Sequence, residues 1–190
     1  RLPWRLFHGS DGAGCGHPPA LLERLEPIPM LGAGAVWLSP FYLSPNFDFG
    51  YDVSDFGTGH PDFGTSADLD ALILRAHELG LRVLLDFVPC HTSIEHPWFQ
   101  SARSDRKSPY RDWYIWCDHE PSDRHQGMVF PGVQTETWTF DERAQAWYFH
   151  RFYDFEPDLN HGNPEVSEEI RKIMAFALRT GSARFRVEAL

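Results

Sequence analysis

The chain of 190 residues is 42% hydrophobic and 23% charged, with 15 Gly and 15 Pro, a balance that excludes a disordered polypeptide and predicts a folded protein with loop-rich stretches. Its 17 Lys and Arg against 27 Asp and Glu leave a net charge of −10, which repels phosphate backbones, so no nucleic-acid partner is expected. No run approaches the roughly 20 apolar residues that span a bilayer, and the start RLPWRLFHGSDG lacks an apolar segment with a small-residue cleavage site. Cys15, Cys90 and Cys117 are odd in number and widely spaced, which argues against a disulfide framework or a zinc site. A cytoplasmic protein with no membrane partner is the expectation.

The first clear element is AVWLSP at 35–40, a buried strand closed where Pro40 removes a backbone donor. The segment from Phe41 to Ser66 is rich in Pro, Gly, Asn and Asp, has no period, and reads as a long loop of the kind that carries function. Leu69, Leu72, Ile73, Ala76 and Leu79 then repeat at helical spacing, with Thr65 and Asp68 as a capping box in front and Gly80 as the stop. Leu81 to Val88 is a nearly continuous apolar run, the pattern of a strand covered on both faces, so the three elements form a βαβ unit. From residue 94 to about 158 the rhythm breaks, with five Trp scattered among charged and turn residues, and an inserted subdomain without helix-strand alternation is expected. Asn163-Pro164 opens a second helix whose apolar stripe is Val166, Ile170, Ile173, Met174, Ala177 and Leu178, ending near Gly181. In the closing ARFRVEAL, Phe185 and Val187 face one way and Arg186 and Glu188 the other.

Three constellations could carry chemistry. Asp86 lies inside the end of the second strand and His91 just beyond it, the usual ligand edge of a parallel sheet, although a turn histidine satisfies the same pattern. Arg186 and Glu188 share one strand face, where the guanidinium would keep the carboxylate ionised as a nucleophile requires; an edge-strand surface pair looks the same. Asp48 and Tyr51 offer a carboxylate and a ring that could grip and stack a sugar, while an Asx turn with Gly50 at positive φ is the plainer alternative.

VWLSPFYLSPNFDFGYDVSDF, LLDFVPCHTSIEHPWFQ, EPDLN at 156–160 and FRVEA at 185–189 together resemble the alpha-amylase superfamily, glycoside hydrolase family 13, most closely its alpha-glucosidase, oligo-1,6-glucosidase and trehalose synthase branch. Residues 124–166 are similar to the subdomain inserted in that branch. The resemblance, running from about Leu21 to Leu190, implies the amino-terminal half of a (β/α)8 barrel: residues 1–93 start the barrel, 94–158 are a subdomain inserted after the third strand, and 159–190 continue to the fourth strand. It implies retaining cleavage of alpha-linked gluco-oligosaccharides by two carboxyl groups about 5 Å apart. By the same resemblance His91, Asp48 and Tyr51 would hold the ring before the cleaved bond, with Asp48 recognising a non-reducing end. Arg186 would orient the nucleophile, position 188 would be that nucleophile, and Asp86 would support the site from beneath.

The departures from the family carry expectations of their own. Glu188 stands where the family has aspartate, moving the carboxylate by roughly 1.5 Å, a displacement that can cost on the order of a hundredfold in rate. Cys90 replaces an asparagine before His91. In the stretch FHGSDGAGCGH, Gly9, Ala13 and His17 occupy the places of carboxylates in the family's calcium or magnesium loop and only Asp11 could serve, so no metal or other cofactor is expected. The first barrel strand is not visible in the sequence, and Pro27 and Pro29 interrupt the first helix. The family's general acid follows the fifth strand, so this stretch alone is expected to be inactive and to need a complementing carboxy-terminal half. A non-catalytic sugar-binding or scaffold relative is the other reading, and trehalose synthase the variant within the enzyme class.

Overall fold

In a computed structural model of the chain, residues 21–179 and 184–187 are described. Glu188 and the stretch 7–17 lie outside the described residues, as does the expected helix end near Gly181. The described backbone divides into two compact units: one takes residues 21–43, 56–87, 172–179 and 184–187, the other 44–55 and 88–171.

In the first unit a short helix, α1 (Pro27–Met30), begins at a proline, where the missing N–H has no partner to lose. Strand β1 (Ala35–Leu38) follows, then β2 (Tyr42–Leu43), β3 (Asp55–Gly59), helix α2 (Ser66–Glu78) and strand β4 (Arg82–Phe87). The long segment after β1 is therefore not all loop. β2 and β3 pair, His60 donates its N–H to the Phe41 carbonyl at 2.8 Å, and a 3-10 turn spans Pro61–Phe63. The strand pattern is hidden there because β3 reads DFGTG, and its two glycines carry no side chains to alternate.

α2 starts on the reciprocal cap between Thr65 and Asp68 and buries Leu72, Ile73 and Ala76 against Val36, Leu38, Val83 and Leu85. Gly80, at φ 73°, takes the left-handed conformation that lets the chain turn straight into β4. β1 and β4 run parallel, and the last strand described, β8 (Arg184–Val187), adds in parallel on the other side of β4, giving the order β1-β4-β8. In that register Asp86 lies directly opposite Arg186. Phe185 packs on Phe87 with ring centroids 5.4 Å apart.

The second unit contains regular structure that the expected irregular insertion did not include. Helix α3 (Pro97–Ser104) begins where the His96 ring accepts the Trp98 N–H at 3.2 Å, a cap supplied by a residue type outside the usual Ser, Thr, Asp and Asn. Strands β5 (Trp116–Cys117), β6 (Trp138–Asp141) and β7 (Ala146–Phe149) form an antiparallel sheet in the order β5-β7-β6. Its core is aromatic: Phe99, fully buried, meets Tyr114, Trp116 and Tyr148 at centroid distances of 5.0, 5.5 and 5.1 Å. The scattered tryptophans are thus ring-packing partners rather than loop residues.

Helix α4 (Pro164–Arg179) opens with the Asn163 side chain accepting the Glu165 N–H at 2.9 Å. Val166, Ile170 and Ala177 of its expected stripe are buried and Ile173 and Met174 half-buried, but Leu178 is 49% exposed, so the stripe turns outward in its last turn. Among the described residues no helix is long and apolar enough to cross a membrane.

Candidate active site

The loop before β3 is shaped by Asp52, not by Asp48. Asp52 is fully buried and accepts the Ser44 hydroxyl at 2.8 Å and the backbone N–H groups of Phe47 and Asp48 at 3.0 and 3.2 Å. The Tyr51 N–H closes on the Asp48 carbonyl at 3.0 Å, and Gly50 takes φ 97°. With the turn held from inside by Asp52, the Asp48 and Tyr51 side chains are left half-buried at its rim. The Ser93 N–H donates to the Val53 carbonyl at 2.8 Å, fastening this loop to the segment that follows β4.

That segment brings in His91, 3% exposed. Its Nε2 lies 3.1 Å from the Tyr51 carbonyl oxygen and its Nδ1 3.2 Å from Cys90 Sγ. Burial pushes the imidazole down to about 4 against the opposing pull of the Tyr51 carbonyl, so the ring is neutral at pH 7. A carbonyl can only accept, hence Nε2 carries the proton and Nδ1 is left to accept the Cys90 S–H. The thiol suits that role, because burial, with the nearby Asp158 charge second, pushes it up to about 12. Phe152 presents its ring to His91 at a centroid distance of 5.4 Å, inclined by 67°.

The motif EPDLN runs antiparallel beside these residues. Leu159 N–H donates to the Cys90 carbonyl at 2.8 Å, Thr92 N–H to the Pro157 carbonyl at 3.2 Å, and His91 bridges Asp158. This pairing carries Glu156 into the cluster, with Oε1 3.7 Å from His91 Nε2 and the side chain 1% exposed. Oε1 is buried without a hydrogen-bond partner among the described residues, and Oε2 receives a long contact from the Tyr153 N–H at 3.4 Å. Burial first and the Asp48 charge second raise the Glu156 carboxyl to about 8. Glu156 and His91 therefore meet as two neutral groups at pH 7, not as an ion pair. Asp158 is raised to about 7, again by burial, while its Oδ1 accepts the Arg151 N–H at 2.8 Å.

In the first unit Asp86, fully buried, accepts the Trp37 indole N–H at 3.1 Å and the Arg186 guanidinium at 3.1 and 3.3 Å. The Arg186 guanidinium also sits 4.7 Å from the Trp37 ring centroid, a cation–π contact. Tyr42, 3% exposed, belongs to the same neighbourhood: its hydroxyl is held well above its ordinary range by burial first and by the Asp86 charge second.

Of the residues singled out in the sequence, His91 and Tyr51 meet directly, Asp48 shares their loop, and Asp86 pairs with Arg186. The partner expected for Arg186, Glu188, lies outside the described residues. Sequence reasoning gave no role to Glu156, Asp52, Phe152, Trp37 or Tyr42. A carboxylate inside EPDLN was the one available signal for Glu156.

The family model for the alpha amylase catalytic domain matches residues 3–190. A trehalose synthase of Pimelobacter sp. strain R48 is 40% identical over 186 residues, which cover 98% of this chain and 32% of that protein. A probable alpha-glucosidase of Rhizobium meliloti is 41% identical, over 98% of this chain and 34% of its own length. Among solved structures, the trehalose-6-phosphate hydrolase of Bacillus licheniformis matches with a TM-score of 0.88 at 34% identity, covering 98% of this chain and 34% of that one. A MutB mutant in complex with its substrate sucrose gives the same TM-score of 0.88 at 34% identity, with 98% and 34% covered. The chain thus spans about a third of the length of the curated relatives it matches.

Proposed function

The chain belongs to the alpha-amylase family, as an amino-terminal part of its (β/α)8 catalytic barrel, and from that premise we propose that it supplies the ring-binding side of a retaining, alpha-glucosidase-like glycoside hydrolase. We assign residues 94–158 to the inserted subdomain and 1–93 and 159–190 to the barrel. The substrate class is an alpha-linked gluco-oligosaccharide. The observation that carries the reading is the buried, neutral His91, fixed through the Tyr51 carbonyl beside the loop that presents Asp48 and Tyr51. A neutral imidazole engaged on both nitrogens, by the Tyr51 carbonyl and the Cys90 thiol, fixes this loop without the cost of burying a charge, and Tyr51 and Phe152 offer ring faces to the apolar side of a pyranose.

In this reading Asp48 accepts hydroxyls at the non-reducing end. The carboxylate at position 188, kept ionised by Arg186, attacks the anomeric carbon while a general acid from a complementing carboxy-terminal half protonates the leaving oxygen. Water then hydrolyses the glycosyl ester. The same architecture forms trehalose if the glucosyl unit is returned to glucose, and the product made from maltose separates the two.

The test is titration of the chain with glucose and maltose by calorimetry, with glucose release from maltose, isomaltose and an aryl alpha-glucoside followed in parallel. Sugar binding that is lost in His91→Ala, without turnover by residues 1–190 alone, is expected. A natively folded chain that binds no sugar overturns the reading. The Cys90 contact to His91, where the family has asparagine, favours a second reading as a non-catalytic sugar-binding relative. In a barrel completed with its remaining strands, a large gain in hydrolysis on Glu188→Asp selects the enzyme and no gain selects the binding protein.

A further inference from the structure

Glu156 has no part in the reading above, although it adjoins the imidazole on which that reading rests. The His91 Nε2–H faces two oxygens: the Tyr51 carbonyl at 3.1 Å, within hydrogen-bond range, and Glu156 Oε1 at 3.7 Å, just outside it. The two side chains are 3% and 1% exposed, so neither can turn to bulk water for another partner. Glu156 Oε1 has no hydrogen-bond partner among the described residues, an arrangement that folded chains rarely keep because the buried oxygen has given up its water. A small swing of the imidazole, closing 3.7 Å to the usual distance of about 2.9 Å, supplies that partner and takes it from Tyr51.

Which oxygen holds the N–H depends on the charge of Glu156. While the carboxyl is neutral, two uncharged acceptors compete and the nearer one, the carbonyl, wins. A carboxylate makes hydrogen bonds about twice as strong, and it then outbids the carbonyl. The Cys90 thiol, 3.2 Å from Nδ1, sits on the adjacent residue and favours neither oxygen. The charges that bear on Glu156 are carboxylates: Asp48 and Asp52 from the loop before β3, and Asp158, beside Arg151, from its own segment. Burial first and Asp48 second set the loss of its proton at about pH 8. Cys90, at about 12, and Tyr153, raised above its ordinary 10, keep their protons there, whereas Asp158, at about 7, titrates nearby and has to be told apart.

We propose that Glu156 is a positioning residue of the His91 site: its carboxylate draws the imidazole N–H off the Tyr51 carbonyl and releases the loop that presents Asp48 and Tyr51, so sugar binding weakens when Glu156 loses its proton. This rests on the reading of that loop as the ring-binding side, and the competition for the N–H exists with or without a sugar.

The experiment pairs two readouts between about pH 6.5 and 9 on the chain, Glu156→Gln and Asp158→Asn, each checked as folded at both limits by near-ultraviolet circular dichroism. Without sugar, the His91 Nε2–H proton resonance should move downfield as pH rises, since a charge-assisted contact is shorter, and should stay in place in Glu156→Gln. By calorimetry, maltose affinity should fall about tenfold across that range, the worth of one hydrogen bond, in the unaltered chain and in Asp158→Asn but not in Glu156→Gln. A resonance that stays fixed in the unaltered chain, or that moves equally in Glu156→Gln, overturns the proposal. So does a fall in affinity that Asp158→Asn abolishes, which assigns it to Asp158. A resonance that moves as expected in a folded chain that binds no maltose at either limit upholds the hold of Glu156 on His91 and removes the ring-binding reading instead.

Discussion

Replacing Glu156 by Gln should flatten the dependence of stability on pH. The side chain is 1% exposed, and its carboxyl rises from an ordinary 4.5 to about 8 because burial, then Asp48, and to a smaller degree Asp52 and Asp158, disfavour the anion. The folded chain thus holds this proton up to about pH 8, whereas the unfolded chain releases it near 4.5. The contribution is complete at acid pH and is lost as pH rises through that interval. At about 1.4 kcal/mol per pH unit, the whole interval is worth roughly 5 kcal/mol as an upper bound. Asp158, raised to about 7, acts with the same sign. His91 and His96, both lowered from 6.5 to about 4 mainly by burial, act in the opposite sense, since their contributions are lost as pH falls below 6.5. The two sets offset one another in acid, so the fall in stability should concentrate between about pH 6.5 and 8. Urea unfolding at pH 6 and 8 measures it: the Glu156→Gln variant should lose roughly 2–3 kcal/mol less than the unaltered chain over that range. Equal losses in the two proteins would refute the reasoning.

Asp86→Ala strips the acceptor from the Trp37 indole and the Arg186 guanidinium, and a cost of about 3–5 kcal/mol is expected in urea unfolding because a partly buried cation loses its counter-charge. Thr65→Ala removes the hydroxyl that accepts the Asp68 N–H at 3.3 Å, which should cost about 1 kcal/mol and lower the melting temperature by about 2–4 °C. Adding a chelator, or calcium or magnesium in excess, should leave the melting temperature unchanged, since the FHGSDGAGCGH stretch carries a single carboxylate.

Elements set by local pattern were legible in the sequence. The apolar runs of β1 and β4, the stripe of α2 and the Thr65–Asp68 cap each depend on residues a few positions apart. Features set by long-range pairing were not. Nothing in the spacing tells that Arg186 falls opposite Asp86, because that register joins positions a hundred residues apart. α3 was missed because a histidine caps it, and β3 because glycine hides its alternation. In the loop of the candidate site the residue types were readable but their division of labour was not. Asp48 and Asp52 look equivalent in sequence, and only the hydrogen bonds show Asp52 turned inward. Glu156 drew no attention because its burial depends on the EPDLN segment pairing with residues 90–94.

The contact between His91 and Tyr51 runs through a main-chain oxygen. Every amino acid supplies that oxygen, so position 51 can change its ring without releasing the imidazole or altering which nitrogen bears the proton. The contact on the other nitrogen comes from the Cys90 thiol and disappears with the residue. Selection can therefore retune the ring surface at position 51 in single steps, each leaving the polar anchor behind it intact, while position 90 has no such latitude.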